Sequence, residues 1–382
     1  MINIVHVLQQ HDRECREHAI LVEICDALRA HSFTIHFSST IEDTIGNVEN
    51  NNRICALLFD WDEFGLGVAS QVAVLNEKLP LFAMTAKHAV IDLDIQNLFL
   101  ESLTFLEYRR CDEDDDVDII RHVIEGYVKG LLPPFTKALF GYAENFKDVF
   151  CTPGHLGGKA FLQSPVGTRF FDFYGANTMR ADVSISIPTL GSLLDHTGPH
   201  KKAEQYIAKL FGADRSYIVT NGTSTSNKIV GSSCVGSGDT VLIDRNCHKS
   251  IAHLLMMVDA NPIYLKPTRN AHGLLGGIPK IEFTAQSIAQ KMQERGLEKE
   301  PNYCVVTNST YDGLFYNVGY IKQELRCSNL HFDSAWAPYT NFHPIYTGLA
   351  AMTSNRCEDK VVYETQSTHK LLAAFSQASM LH

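Results

Sequence analysis

Short apolar runs alternate with amphipathic stretches along the first third of the chain. The apolar runs cover residues 2–7, 33–37, 54–59, 79–84 and 103–106. This alternation is typical of βαβ units and predicts a parallel sheet with helices on both faces. Pro133 and Pro134 end the last amphipathic stretch, because proline lacks a backbone N–H and restricts the residue before it. We therefore predict a first α/β domain over residues 1–130.

A second α/β domain is predicted over residues 184–382. A helical pattern extends from Gly198 to Phe211, and strand-like runs then lie around Tyr217, Val241, Ile263, Val305 and Leu330. Residues 131–183, which are rich in Gly, Phe and Tyr, are interpreted as a linker region between the two domains.

Composition favours a globular protein of the cytoplasm. The chain has 382 residues, of which 45% are hydrophobic and 20% charged, enough to bury a sizeable core. It has no apolar run long enough to span a membrane and no basic region before its first apolar run, so neither a membrane span nor a secretory signal is predicted. The ten cysteines include no C-x-x-C pair, which argues for reduced thiols.

The net charge of −10 disfavours nucleic acid as a partner and would attract a cationic amino acid. The 17 histidines include no His-Glu-x-x-His spacing, so no metal site is predicted. The acidic run from Asp112 to Asp118 is interpreted as a solvated helix cap, because carboxylates are favoured at a helix N-terminus.

A lysine beside hydroxyl and imidazole groups gives the first indication of chemistry, in the segment Ser367-Thr368-His369-Lys370. A lysine amine in this setting can hold pyridoxal phosphate as a Schiff base, from which an incoming amine displaces it. The flanking Ser367 and His369 could bind the phosphate. Alone, so short a segment is more often a polar loop end.

Three upstream segments fit the same cofactor. Gly222-Thr223-Ser224-Thr225 follows a strand-like run and could cup a phosphate at a helix N-terminus, although such a segment alone is more often an N-capped helix. Asp333 ends the apolar run that begins at Leu330, where a carboxylate could keep a pyridine nitrogen protonated. His248 also follows a strand and could stack on the cofactor ring, while a lone histidine there is more often structural.

In this order, the segments resemble the cofactor-binding series of fold-type I pyridoxal phosphate enzymes. More narrowly, the chain resembles the bacterial ornithine/lysine/arginine decarboxylases, with further similarity at residues 150–158, 192–199, 244–250 and 307–313. The resemblance implies an N-terminal flavodoxin-like wing domain used in assembly. It also implies a pyridoxal phosphate-binding large domain after the linker.

The resemblance assigns a role to each candidate residue. It implies that Lys370 carries the cofactor, that Asp333 pairs with the pyridine nitrogen and that His248 stacks over the ring. His369 would contact the cofactor and assist the proton transfer that follows loss of carbon dioxide. The remaining cofactor-binding positions are Ser224, Thr225 and Ser367 at the phosphate and Trp336 near the same pocket.

The resemblance also implies a basic amino-acid substrate. The segments Asp333-Ser334-Ala335-Trp336 and Pro338-Tyr339-Thr340-Asn341-Phe342 are similar to the lysine enzymes, whereas arginine enzymes tend to carry Glu after that aspartate. The predicted reaction is therefore the conversion of L-lysine to cadaverine and carbon dioxide, with ornithine or arginine as alternative substrates. The family further implies a homo-oligomer in which dimers assemble into larger rings.

Two other interpretations remain open at this point, and a third, a response-regulator receiver, is only an incomplete match. A response-regulator receiver shares the rhythm of the first domain, with Asp60 where its phosphoacceptor would lie, but Gln9-Gln10-His11-Asp12 lacks the acidic pair that holds magnesium. Another fold-type I enzyme, such as an aminotransferase, would share the lysine and aspartate but not the segment 244–250. A non-catalytic assembly or signalling protein could be built on the wing domain.

The position of Lys370 near the end of the chain adds one expectation. The sequence finishes at His382, whereas the resembling family continues beyond this point. We expect the large domain to be truncated on its C-terminal side. The chain expressed alone should then have little lysine decarboxylase activity and should tend to aggregate, because unpaired strand edges and exposed apolar surface promote association.

Overall fold

The computed structural model describes residues 3–9, 15–86, 102–108, 115–147, 150, 152–185, 187–354 and 357–382. The chain divides into two compact units, Met1–Pro133 and Pro134–His382. Each unit is built from helices and a mainly parallel sheet, which confirms the predicted α/β class. The domain limits 1–130, 131–183 and 184–382 stay a prediction, although residues 134–181 contain three helices of the second unit.

The first unit contains five strands and four helices within its described residues. The strands are β1 (Asn3–Leu8), β2 (Phe33–Ser38), β3 (Ile54–Asp60), β4 (Leu81–Thr85) and β5 (Leu103–Glu107). The helices are α1 (Arg16–Ala30), α2 (Ile41–Asn50), α3 (Trp61–Leu75) and α4 (Asp115–Leu131). The first turn of α4 is acidic, as the cap interpretation requires, while residues 111–114 lie outside the described residues.

The sheet of the first unit has the strand order β2-β1-β3-β4-β5 with parallel pairing throughout. This is the flavodoxin-like order that the resemblance implied. Successive side chains of β1 point to opposite faces. Val5 and Val7 pack with α1 and α4, whereas Ile4 and Leu8 pack with α3. The sheet is therefore buried on both faces, which explains its continuous apolar strands.

Asp60 lies at the end of β3 and caps α3. Its Oδ1 accepts a hydrogen bond from the Glu63 amide at 3.0 Å, and its Oδ2 accepts one from the Tyr108 hydroxyl at 2.8 Å. The side chain is only 3% exposed. A carboxylate with these partners acts as a buried helix cap, and part of the segment Gln9-Gln10-His11-Asp12 lies outside the described residues.

The second unit contains seven strands. They are β6 (Tyr217–Val219), β7 (Thr240–Asp244), β8 (Asn261–Leu265), β9 (Tyr303–Thr307), β10 (Asn329–Asp333), β11 (Val361–Gln366) and β12 (Ser379–Leu381). The first five include the five predicted strands, whereas β11 and β12 were not predicted.

The second unit also contains nine helices within its described residues. They are α5 (Pro134–Glu144), α6 (Pro165–Tyr174), α7 (Ala176–Ala181), α8 (Gly198–Phe211), α9 (Gly222–Cys234), α10 (Lys249–Val258), α11 (Ala285–Glu294), α12 (Val318–Glu324) and α13 (Thr368–Leu371). Across the described ranges of both units, no helix combines the length and the apolar character needed to cross a membrane.

The large sheet has the order β6-β12-β11-β10-β9-β7-β8. Its strands are parallel except β12, which is antiparallel to both of its neighbours. In this register Asp333 at the end of β10 lies beside Thr307 of β9 and Thr365 of β11. The carboxyl ends of the parallel strands therefore bring polar side chains together at one edge of the sheet.

Candidate active site

Asp333 is a carboxyl group that β10 delivers to the edge of the sheet with almost no contact with solvent. Its side chain is 3% exposed. Its Oδ2 accepts a hydrogen bond from Asn227 Nδ2 at 2.8 Å, and its Oδ1 accepts one from the Ala335 amide at 3.2 Å. Burial raises the pKa of Asp333, whereas these donors and the nearby His248 and Lys370 oppose the rise. The carboxylate is thus held by donors that favour its charged form.

A cavity of about 210 Å³ opens directly beside Asp333. The strand ends, the N-terminus of α9 and the start of α13 enclose it. Its lining residues are Asn221, Gly222, Thr223, Ser224, Asn227, His248, Asp333, Ala335, Ser367, His369, Lys370 and Gln377. A buried carboxyl group and the N-terminal amides of a helix therefore lie at the same cavity.

Lys370 reaches this cavity from α13. Its Nζ lies 4.7 Å from the centroid of the Trp336 ring, in a cation–π contact. Partial burial lowers the pKa of Lys370, while the Asp333 carboxylate opposes this change. A lysine with a lowered pKa has more of the neutral amine that nucleophilic chemistry needs.

A cluster of hydroxyl groups lies at the helix end of the cavity. Thr223 Oγ1 is 2.7 Å from Ser367 Oγ and 3.1 Å from Ser379 Oγ, and all three side chains are buried. The N-terminus of α9 starts at Gly222, so backbone amides and hydroxyls converge on one place. Such a place can bind an anion.

The two histidines of the cavity have defined hydrogen-bond partners. His248 caps α10, and its Nδ1 accepts from the Ser250 amide at 3.2 Å. Burial lowers the pKa of His248, although Asp333 opposes this effect. His369 Nδ1 lies 2.7 Å from the carbonyl oxygen of Ala378, which can only accept, so Nδ1 carries a proton.

Six of the eight predicted site residues line one cavity, namely Ser224, His248, Asp333, Ser367, His369 and Lys370. The other two lie beside it. Trp336 contacts Lys370 from outside the lining, and the hydroxyl of Thr225 donates to the carbonyl of Asn221 at 3.0 Å, within its own helix. The structure therefore brings the residues together, while the role of each stays a prediction.

Comparison with known proteins assigns both units to one family. Residues 133–382 match the model for the Orn/Lys/Arg decarboxylase major domain, and residues 17–127 match that for the Orn/Lys/Arg decarboxylase N-terminal domain. The chain belongs to the Orn/Lys/Arg decarboxylase family. This result confirms the family that the sequence motifs resemble.

Similar members of the Orn/Lys/Arg decarboxylase family include two lysine decarboxylases of known structure or function. The inducible lysine decarboxylase of Escherichia coli K12 is 51% identical over 381 residues, which cover 100% of this chain and 53% of the relative. The Francisella novicida lysine decarboxylase LdcF superposes with a TM-score of 0.84 at 48% identity, over 99% of this chain and 53% of that one. The chain thus spans about half the length of the relatives it matches.

A more distant member is the biodegradative arginine decarboxylase of Escherichia coli K12. It is 37% identical over 383 residues, covering 94% of this chain and 50% of the relative. The higher identity lies with proteins named lysine decarboxylases.

Three polar residues of this cavity had no individual role in the sequence prediction, although Thr223 lies within the phosphate segment named there. Asn227 donates a hydrogen bond to Asp333, and Thr223 belongs to the hydroxyl cluster. The backbone carbonyl oxygen of Gln377 accepts a hydrogen bond from the Gly222 amide at 2.9 Å. The helical repeat could have revealed Asn227, because it lies three residues after Ser224 and so on the same face of the helix. Gln377 has no such signal, since only the chain path brings it near.

Proposed function

We propose that this protein acts in the pyridoxal phosphate-dependent decarboxylation of L-lysine to cadaverine and carbon dioxide. The observation that carries the proposal is the single cavity in which Lys370 and the buried carboxylate of Asp333 meet a hydroxyl-rich helix N-terminus. Membership of the Orn/Lys/Arg decarboxylase family supports the same reaction class.

The groups around the cavity fit the chemistry of pyridoxal phosphate. The cofactor has an aldehyde, a basic ring nitrogen and a phosphate. Lys370 would supply the amine for the aldehyde, and Asp333 would supply the negative charge beside the ring nitrogen. Ser224 and Ser367 lie where hydroxyls and helix amides could bind the phosphate. Thr225 would take part through its helix position, since its hydroxyl is already bonded to Asn221.

When bound, pyridoxal phosphate supplies an electron sink for the bond that breaks at the substrate Cα. The negative charge of Asp333 would keep a proton on the ring nitrogen and so maintain that sink. His248 would cover one face of the ring and exclude water. His369 has its Nδ1 proton engaged with Ala378, which leaves Nε2 as the atom that can accept or return a proton.

Lysine is the substrate that the comparisons favour. Both lysine decarboxylases of Escherichia coli K12 are 51–52% identical to the chain over its full length, against 37% for the arginine enzyme. The net charge of −10 would also favour a cationic substrate. We further propose that the protein works in cytoplasm as a homo-oligomer of dimers.

The test is chemical labelling of the protein expressed from its complete gene. Borohydride reduction with pyridoxal phosphate, followed by peptide mapping, should leave the cofactor on Lys370 in the wild type and in a Lys249→Met control. Lysine, ornithine and arginine are then supplied separately, and cadaverine should be the main amine product. A cofactor found on Lys249 or Lys228 would contradict the site. Putrescine or agmatine as the main product would contradict the substrate.

A further inference from the structure

Asn227 lies at the centre of a buried hydrogen-bond chain beside the cavity. Its side chain is 1% exposed and projects from α9. Its Nδ2 donates to Asp333 Oδ2 at 2.8 Å and to Ser250 Oγ at 3.0 Å. Its Oδ1 accepts a hydrogen bond from Thr365 Oγ1 at 2.7 Å. Asn227 therefore connects the carboxylate with two further polar side chains.

A charged Asp333, the state that its two hydrogen-bond donors favour, fixes the direction of this hydrogen-bond chain. A carboxylate has no proton to donate, so the amide nitrogen of Asn227 has to face Asp333. The amide oxygen then faces Thr365, whose hydroxyl donates to it. Thr365 Oγ1 in turn accepts from His331 Nε2 at 2.9 Å, and His331 Nδ1 accepts from the Tyr303 hydroxyl at 2.6 Å. Each donor in the chain thus points towards Asp333.

A second arm runs from Asn227 to His248. The Ser250 hydroxyl accepts from Asn227, so its own proton is directed to His248 Nδ1 at 2.9 Å. The Ser250 amide donates to the same nitrogen. Two donors at Nδ1 leave the proton of the neutral ring on Nε2. One amide group therefore orients both side chains that the cofactor ring would meet.

The end of the hydrogen-bond chain that lies farthest from Asp333 is buried. Tyr303 is 0% exposed and His331 is 1% exposed. Burial lowers the pKa of His331 to about 3, so the ring stays neutral at ordinary pH. A neutral imidazole offers one donor and one acceptor, which the chain needs here. A charged ring would offer two donors and would reverse the bond with Tyr303.

We propose that Asn227 is a positioning residue that orients Asp333 and His248 towards the cofactor ring. The hydrogen bond from Thr365 keeps the Asn227 amide in the orientation in which it donates to both arms. This inference rests on the function proposed above, because Asp333 needs its charge only if it meets a ring nitrogen. A hydrogen-bond network that only stabilised the fold would affect the unfolding midpoint but not the pH at which cofactor affinity is lost.

The pH dependence distinguishes these two possibilities. Among the described residues, the titratable groups that interact electrostatically with Asp333 include His248, Lys370, Asp244, Cys247 and Tyr303. Loss of the Asn227 donor leaves burial less opposed, so the pKa of Asp333 should rise further. A protonated Asp333 cannot hold the charge of the ring nitrogen. Cofactor affinity should then be lost at a higher pH than in the wild type.

The experiment uses Asn227→Leu in the protein expressed from its complete gene. The dissociation constant for pyridoxal phosphate is measured across the acid and neutral range, together with the unfolding midpoint without cofactor. Asn227→Leu should bind the cofactor about tenfold more weakly at neutral pH, and its acid-side loss of affinity should move up by about one pH unit. We call this acid-side loss of affinity the acid limb. If the acid limb of Asn227→Leu lies at the same pH as that of the wild type, the proposal is wrong.

Thr365→Val tests the chain without touching Asn227, because valine and threonine have nearly the same shape. It should shift the acid limb in the same direction, and Thr365→Ser should restore it. Thr340→Val is the matched control. Thr340 is 4% exposed, and its hydroxyl donates to the Ala337 carbonyl, which is not part of the hydrogen-bond chain of Asn227. If Thr365→Val and Thr340→Val behave alike, the proposal is wrong even where Asn227→Leu does not fold.

The outcome is separable from that of the labelling test. If the wild type carries no pyridoxal phosphate on Lys370, the proposed function itself fails. If Lys370 is labelled but the acid limb does not respond to Asn227→Leu or Thr365→Val, only the positioning role fails.

Discussion

At the scale of single residues, Asp333 shows how burial and hydrogen bonding act against each other on one carboxyl group. Burial disfavours its charged form, and donors from Asn227 and the Ala335 amide favour it. A cationic ring nitrogen beside Asp333 would favour the charged form further. The residue is thus suited to pair with a buried cation, which a solvated carboxylate would do less strongly.

We predict that Asp333→Asn lowers turnover far more than it lowers stability. The two side chains have nearly equal volume, but asparagine has no negative charge for the ring nitrogen. Turnover of the complete enzyme should fall on the order of 100-fold, as for loss of other preorganised electrostatic groups. Steady-state amine production and urea unfolding of the same preparation measure the two effects.

Asp244→Asn is the control for this change. Asp244 ends β7, is 0% exposed and also has a pKa raised by burial, but it does not line the cavity. Its carboxylate accepts from the Asn246 and Thr307 amides instead. The control should keep most of the turnover. Equal losses in the two variants would mean that Asp333 has no special role.

At the scale of elements, α9 determines the shape of the hydroxyl-rich end of the cavity. The helix begins at Gly222, whose φ of +73° is accessible to glycine at little cost. Further along, Gly231 allows α9 to approach α10 closely, because a Cβ there would overlap the side chain of Leu254. The close packing of these two helices supports both Asn227 and His248.

We predict that Gly231→Ala destabilises the second unit by about 1–3 kcal/mol, the usual cost of overpacking a core. Leu254 is 1% exposed, so its side chain has little room to move away. Leu254→Val in the same chain should recover part of the loss, because it removes atoms from the overlap. Urea unfolding followed by circular dichroism measures both effects.

Gly126→Ala is the matched control for a glycine inside a helix. Gly126 lies within α4, and a Cβ there would meet nothing within 4 Å. This substitution should stabilise the first unit by about 0.5–1 kcal/mol, since alanine has the higher helix propensity. Destabilisation by both substitutions would contradict the packing explanation.

At the scale of the whole molecule, the two units differ in their buried titratable groups. In the first unit, burial lowers the pKa of His6 to about 4, with a smaller contribution from His36. In the second unit, the lowered pKa of His331 also makes acid destabilise the fold. Burial raises the pKa values of Asp333 and Glu364, so at these two groups acid favours the folded state. The units should therefore respond differently to acid.

We predict that the first unit loses stability as the pH falls from about 6.5 towards about 4. The unfolded chain binds a proton at His6 in this range, and the folded chain does not, so acid favours unfolding. At about pH 5 the free energy of unfolding of the first unit should be about 2 kcal/mol lower than at neutral pH. The tryptophans are Trp61 and Trp336, so Trp336→Phe leaves Trp61 of α3 as the fluorescent reporter of this unit.

His6→Gln in the Trp336→Phe background tests the cause. Glutamine does not titrate, so unfolding of the first unit should become less dependent on pH, whatever its absolute stability. His6 is 0% exposed, and its Nε2 lies 2.9 Å from Ser38 Oγ, a contact that glutamine can partly replace. An unchanged pH slope would show that another group is responsible.

Local patterns were sufficient to predict much of this protein. The strands that contain Ile54 and Val241, and the helix from Gly198 to Phe211, follow from continuous apolar runs and helical periodicity. The short β12 was not predicted, because three residues carry no periodicity and its place between β6 and β11 depends on antiparallel pairing with both. The α/β class of both units thus follows from local sequence, while the position of β12 beside the edge strand β6 does not.

The sequence by itself determined the fold class, the family and the candidate residues Lys370, Asp333 and His248, because their motifs are contiguous in the chain. Only the tertiary structure decided how these groups are linked. Asn227 and Thr365 are 138 residues apart, and their hydrogen bond exists because α9 packs on β11. The direction of that bond follows from the charge of a third residue on β10. Long-range packing and hydrogen-bond polarity carry no local signature, so the sequence pattern could not contain them.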